Sequence, residues 1–252
     1  MKKSLLFILI VLFTQSVKSQ NAQNIIDGLK NDLKANPDAK KTATIYSDLT
    51  WYYSNVSLDS ALFYGNKAMK QSLKLGDSTL IAQAYGDVSS VYLKKGDYEQ
   101  CLGFMKKALE IRKARKDISG MARTYGGIGL LYYNQNKYNL SMKNYLLALE
   151  YANKTGDDNT KNNLKNALSG LLLDLKEYKK ALLYSNQAIG YFEKNNVKAT
   201  LGPMYINKGN ILIGLKDTLS AMKMYEKGKK ICNETGNNLF LSKVLNNIEI
   251  FF

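Results

Sequence analysis

An all-α fold, an α-solenoid of helix–turn–helix units, is predicted for this 252-residue chain by three observations. Small side chains recur forty residues apart in two columns, one at Ala61, Cys101, Ser141, Ala181 and Ala221, the other at Ala68, Ala108, Ala148, Ala188 and Gly228. Apolar residues between them follow helical spacing, as in Leu102, Met105, Ala108, Leu109 and Ile111. With only 2 prolines, Pro37 and Pro203, the helices are expected to run uninterrupted. A period of this length marks a stacked array, because one unit cannot bury its own apolar face.

Taken in order, the chain opens with MKKSLLFILIVLFTQSVKSQ. Lys2 and Lys3 precede an apolar run from Leu5 to Phe13, with Val17 and Ser19 before a cut near Ser19/Gln20, so residues 1–19 read as a signal peptide. The run is shorter than the roughly 17–25 residues a membrane span needs, and membrane contact is expected only if this segment is retained. The mature protein is expected to be secreted or periplasmic. Residues 20–40 form an amphipathic capping helix stopped near Asn36 and Pro37.

Five repeats follow over 41–240, at about 41–80, 81–120, 121–160, 161–200 and 201–240. A third small column stands at Ser89, Gly129, Ser169 and Gly209. Aromatic or apolar columns stand at Tyr52, Tyr92, Tyr132, Leu172 and Leu212, and at Leu58, Tyr98, Tyr138 and Tyr178. Two breaks recur per unit. KKGDY, NQNKY and GLKDT offer a left-handed helix end or an Asp cap, and KLGDS, KTGDD and ETGNN put Gly76, Gly156 and Gly236 in register. The first unit is irregular, since forty-residue spacing puts Leu49 in the small column with Trp51 close by. Residues 241–252 are a capping helix or the start of a truncated sixth unit, with Glu249 in the small column and Phe252 in the aromatic one.

YGGIGLLY (Tyr125, Ile128, Gly129, Tyr132) followed by Ser141, Tyr145 and Ala148 resembles the tetratricopeptide repeat, with Tyr for its first Trp. YGDVSSVY with Cys101 and Ala108, and YINKGNIL with Ala221, Tyr225 and Gly228, repeat the pattern. The period of forty and the missing terminal proline depart from it. Longer repeats of this kind are similar to those of kinesin light chains and peptide-sensing bacterial regulators. The resemblance implies a right-handed superhelix with a ligand groove lined by the first helix of each unit.

Catalysis finds little to use. The chain has no histidine, which excludes histidine-based triads and metal sites. Cys101 and Cys232 lie more than three units apart and are expected to be lone thiols, Cys101 serving only as a small residue at a helix crossing. Gly126, Gly127 and Gly129 lack the strand and the Lys-Ser/Thr of a phosphate loop. Asp157 and Asp158 read as solvated caps and not as a metal site. The charge of +15 is carried almost wholly by lysine, with Arg112, Arg115 and Arg123 the only guanidiniums, so solvation is expected in preference to nucleic-acid binding. Lys106, Lys107, Lys179, Lys180, Lys229 and Lys230 belong to the second helices, as a solvated face. No enzyme activity, metal or cofactor is expected.

The family's groove positions, carried onto this chain, hold Gln83, Ser90 and Lys94, then Arg123, Leu130, Tyr133 and Asn134, then Asn163, Asn166 and Asp174, then Ile206 and Asn210 with Asn207 adjacent. Asparagine presents a donor and an acceptor, so Asn163, Asn166, Asn207 and Asn210 could pair with an extended backbone. A protein or peptide ligand is therefore expected, for a scaffold or sensor. The alternatives are an assembly protein that self-associates through its apolar C-terminal helix, or the truncated sensor part of a histidine kinase or helix-turn-helix regulator.

Overall fold

The computed structural model describes residues 22–237, 240–242 and 244–245; the expected signal peptide and the positions Glu249 and Phe252 lie outside them. Among the described residues the secondary structure is helical, without strands. Helix α1 spans 22–34, followed by α2 (Ala39–Tyr53), α3 (Leu58–Leu75), α4 (Ser78–Lys95), α5 (Tyr98–Ala114), α6 (Ile118–Asn134) and α7 (Tyr138–Thr155). After these come α8 (Asp158–Asp174), α9 (Tyr178–Lys194), α10 (Lys198–Gly214) and α11 (Thr218–Glu234), then helical residues at 240–242 and 244–245. The chain divides between Asp157 and Asp158 into two compact units, each built of helix pairs joined by tight turns.

The turns follow a rule of their own. Left-handed residues stand twenty apart at Gly76, Gly96, Lys116, Asn136, Gly156, Lys176, Asn196, Lys216 and Gly236, with φ between 55° and 76°. At most of them the following amide closes back on the carbonyl five residues earlier, as in Asp97 N–H to Tyr92 O at 3.0 Å. An Asp then caps the next helix: the carboxylates of Asp77, Asp97, Asp117 and Asp217 each accept from amides of the first turn. Pro203 lies inside α10, which continues through it.

The first hairpin breaks the rule, and the reason is one residue. Nineteen positions separate the caps Asp38 and Ser57, whereas twenty separate Asp77 and Asp97. The α2–α3 connection, Ser54–Ser57, has no left-handed residue. Its free carbonyl end is met instead by Lys94, whose ammonium donates to Ser54 O at 3.2 Å, Ser54 Oγ at 2.8 Å and Asn55 Oδ1 at 2.8 Å. Side chains of α2 therefore align with those of α4 at a separation of thirty-nine. Tyr53 stacks on Tyr64 at 5.3 Å as Tyr92 stacks on Phe104 at 5.6 Å. Thr50, 1% exposed, takes the small-column place that forty-residue spacing gives to Leu49, while Leu49 is core.

In the unit of residues 22–157 the core runs from Ile26, Ile45 and Leu49 to Cys101, Met121 and Leu131. In the unit of residues 158–245 it gathers Ile189, Phe192 and Tyr205, and then Ile206, Tyr225 and Val244. The columns Ala61, Cys101, Ser141, Ala181, Ala221 and Ala68, Ala108, Ala148, Ala188 are fully buried, as a close helix crossing requires. Burial pushes the Cys101 thiol up to about 12, so it is unreactive. Cys101→Ala is expected to change stability by less than about 1 kcal/mol, and Cys101→Leu to cost about 1–3 kcal/mol by overpacking. Urea unfolding of the two variants measures both; loss of ligand binding by a stably folded Cys101→Ala protein would contradict the structural role.

Candidate functional site

On the α2–α4–α6 face of the residue 22–157 unit, one helical position holds Asp48, Asp87 and Gly127 in successive units. Polar side chains in the middle of a helix must find partners or face a cavity, and Asp87 does both. Its Oδ1 accepts from Gln83 Nε2 at 2.7 Å, while Oδ2 is buried with no partner in hydrogen-bonding geometry. Burial pushes the Asp87 carboxyl up to about 6, against the pull of Ser47, Gln83 and Arg112 toward the ionised form, with Asp48 adding repulsion. The Asp48 carboxyl is also raised by burial.

Arg112 closes the floor of this face. It stands at the end of α5, where the other units have Ser72, Ala152, Phe192 and Cys232, all buried. Its Nη1 donates to Thr124 Oγ1 and to Gly120 O at 3.2 Å, its Nη2 reaches Ala82 O at 3.4 Å, and its Nε lies 4.0 Å from Asp117 Oδ2. One guanidinium thus ties α4, α5 and α6 together. Burial and Arg123 lower its pKa, and Asp117 and Asp87 oppose them. Gly86 and Gly127 line, with Asp87 and Arg112, a cavity of ≈ 160 Å³ edged by Gln83, Ser90 and Arg123. A second cavity, ≈ 220 Å³, lies between α2 and α4 and shares Gln83 and Asp87 with the first.

The expected groove residues fall into two groups. Gln83, Ser90 and Arg123 edge the α4–α6 cavity, with Arg123 Nη1 donating to Ser119 Oγ at 2.9 Å. Lys94 is occupied by the end of α2, and Tyr133 packs on Tyr138 at 6.0 Å with Asn134 exposed beside it. In the residue 158–245 unit Asn163 Nδ2 donates to Asn159 Oδ1 at 2.7 Å, and Asn166 is half-buried. Asn207 Nδ2 reaches Ser169 Oγ at 3.3 Å, and Asn210 Oδ1 accepts from Tyr225 O–H at 2.7 Å. Ile206 is turned into the core at 5% exposure. Asp48, Asp87 and Arg112 were not legible as a set, because forty-residue spacing sets Ser47, and not Asp48, beside Asp87. A thirty-nine-residue comparison of the first two units, which also aligns Asp38 with Asp77 and Tyr53 with Tyr92, exposes the pair.

Among the described residues no helix is long and apolar enough to cross a membrane, and no group of His, Cys, Asp and Glu could hold a metal ion.

Solved structures share this fold at low identity. A Rap protein complexed with competence and sporulation factor matches with a TM-score of 0.69 at 13% identity, over 93% of this chain and 71% of the other. NprR in complex with its cognate peptide NprX matches with a TM-score of 0.69 at 15% identity, over 93% and 69%. A signal transduction ATPase with a tetratricopeptide repeat sensor from Pyrococcus horikoshii matches with a TM-score of 0.67 at 22% identity, over 91% of this chain and 37% of the other. The repeats are thus of the tetratricopeptide type. Residues 51–249 match the family described as soluble NSF attachment protein, SNAP, and on that span the chain belongs to the SNAP family of helical-repeat proteins.

Proposed function

We propose that this chain is a non-catalytic binding module, secreted or periplasmic, that takes a peptide or an extended protein segment on the first-helix face of its repeats, as a scaffold or sensor. The observation that carries this reading is the polar cleft between α4 and α6, where a buried carboxylate and a buried guanidinium line one cavity. At the position of Arg112 core packing alone places Ser72, Ala152, Phe192 and Cys232 in the other units. Complexes of Rap with competence and sporulation factor and of NprR with its cognate peptide support peptide binding on this architecture. The absence of histidine and the burial of both cysteines support a role without catalysis. Amide pairing by Asn163, Asn166, Asn207 and Asn210, with the exposed side chains of Arg123 and Asn134 and the half-buried Tyr133, would supply contacts that read a backbone more than a side chain.

The mature chain, used as bait in an envelope extract, should capture a partner that slows hydrogen exchange in α4, α6, α8 and α10. Protection confined to α5, α7, α9 and α11 would overturn the reading. Equal capture by an Asn166→Ala, Asn207→Ala variant would remove the asparagine row from it.

A further inference from the structure

The cavity between α2 and α4 differs in chemistry from the rest of this basic protein. Its wall is made of Thr44, Ser47, Asp48 and Trp51 from α2 and Leu80, Gln83 and Asp87 from α4. In a chain with 36 basic and 21 acidic residues, it holds two carboxylates and no cationic side chain. Asp87 lines this cavity and the one beside Arg112, and its Oδ2 is buried with no partner in hydrogen-bonding geometry. Trp51 stands at the edge, 59% exposed, at the position of Ser90 and Leu130 in the next two units. A large aromatic face left in water beside two carboxylates is the arrangement that binds an organic cation, through ring attraction and charge-assisted hydrogen bonds.

We propose that this cavity receives a cationic side chain of a bound peptide, a lysine ammonium or an arginine guanidinium, between Asp48 and Asp87 and against the Trp51 ring. The inference rests on the groove reading above and names the feature of the ligand it selects. The volume of ≈ 220 Å³ admits the end of one long side chain. The donors of the cation would add to the Asp87 carboxylate, which draws on Ser47 and Gln83 and whose Oδ2 has no partner in hydrogen-bonding geometry. Around the Asp87 carboxylate stand Ser47 and Asp48 on α2, Gln83 on α4 and Arg112 on α5, with Arg123 on α6 edging the adjoining cavity. Arg112 is engaged by Thr124, Gly120, Ala82 and Asp117, so it shares the field of Asp87 without filling the space above it. Since the Asp87 carboxyl titrates at about 6, cation binding should weaken as the pH falls below that value.

Trp51 is the only tryptophan in the chain, so its emission reports this cavity directly. Titration of the mature chain with Nα-acetyl-lysine methylamide, and with capped pentapeptides Ala-Ala-X-Ala-Ala where X is lysine, arginine or norleucine, is expected to shift that emission for the cationic ligands alone. Asp48→Asn and Asp87→Asn are each expected to weaken lysine binding about tenfold, the scale of one lost charge-assisted contact. A pentapeptide with norleucine at X and a free N-terminus tests the α-ammonium as the source of charge, and tighter binding by it than by the capped lysine peptide overturns the side-chain assignment. Equal response to capped lysine and norleucine peptides, or unchanged lysine affinity in both Asn variants, overturns the cavity's role. If capped lysine binds at Trp51 but the pentapeptide binds no more tightly than the single residue, the cavity stands and the groove reading fails.

Discussion

Asp87→Asn is expected to make the protein more stable at pH 7.5, by about 1–3 kcal/mol, and to leave it nearly unchanged at pH 4. The sign follows from the direction of the shift. An acid whose pKa is raised in the folded state, here from 3.8 to about 6, holds its proton more tightly folded than unfolded. Folding is then favoured below the unfolded pKa, loses stability as the pH rises between the two values, and carries a constant cost above the higher one. A rise from 3.8 to about 6 corresponds to about 3 kcal/mol, reduced to the extent that water enters the open cavities beside the carboxylate. Asparagine keeps the shape and still accepts from Gln83, but removes the buried charge. Urea unfolding of both proteins at the two pH values measures the gain. A loss of stability at pH 7.5 would mean that the charge is held by structural partners and that Arg112 and Gln83 more than offset its burial. A gain in stability accompanied by weaker lysine binding is the signature of a group kept for a ligand.

That carboxylate was hidden from the sequence by the same feature that makes the fold readable. The forty-residue columns at Ala61 to Ala221 and Ala68 to Ala188 are dictated by close helix crossings, and all these positions are fully buried. A crossing tolerates only small residues, so it writes itself into composition at every repeat. A turn does so less completely. Of the left-handed positions, Lys116, Lys176 and Lys216 carry no local sign, because the closing hydrogen bonds impose the conformation whatever the side chain. The first hairpin then drops one turn residue, and every side chain of α2 changes register against α4. Asp48 and Asp87 occupy one helical position in adjacent units, yet stand thirty-nine apart, so a search at the dominant period passes over them. Arg112 was masked differently, since its position is occupied by Ser72, Ala152, Phe192 and Cys232 elsewhere and reads as core.

The same logic of one position seen across several units gives the second large effect, at the crossing of α10 and α11. Gly209→Ala should destabilise the protein by about 1–3 kcal/mol, although alanine normally improves a helix interior by up to about 1 kcal/mol. A Cβ at 209 would stand 2.3 Å from Cε1 and 2.6 Å from Cδ1 of Tyr225. That ring cannot retreat, being fully buried and fixed by its hydroxyl, which donates to Asn210 Oδ1 at 2.7 Å. The large ring occurs only opposite glycine: Gly129 faces Tyr145 as Gly209 faces Tyr225, whereas the corresponding pairs elsewhere are Thr50 with Gly65, Ser89 with Met105 and Ser169 with Ser185. Gly209→Ser combined with Tyr225→Met, which copies the pair of the second repeat, is expected to recover more than half the loss of Gly209→Ser alone. The coupling should be on the order of 1–2 kcal/mol in a double-mutant cycle. Gly190→Ala in α9 is the matched control, since nothing lies within 4 Å of its added Cβ, and it should be neutral or stabilising. If Gly209→Ala and Gly190→Ala shift the urea midpoint alike, the glycine serves helix chemistry and not the crossing. Additive effects in the cycle would likewise show that the two positions do not share one space.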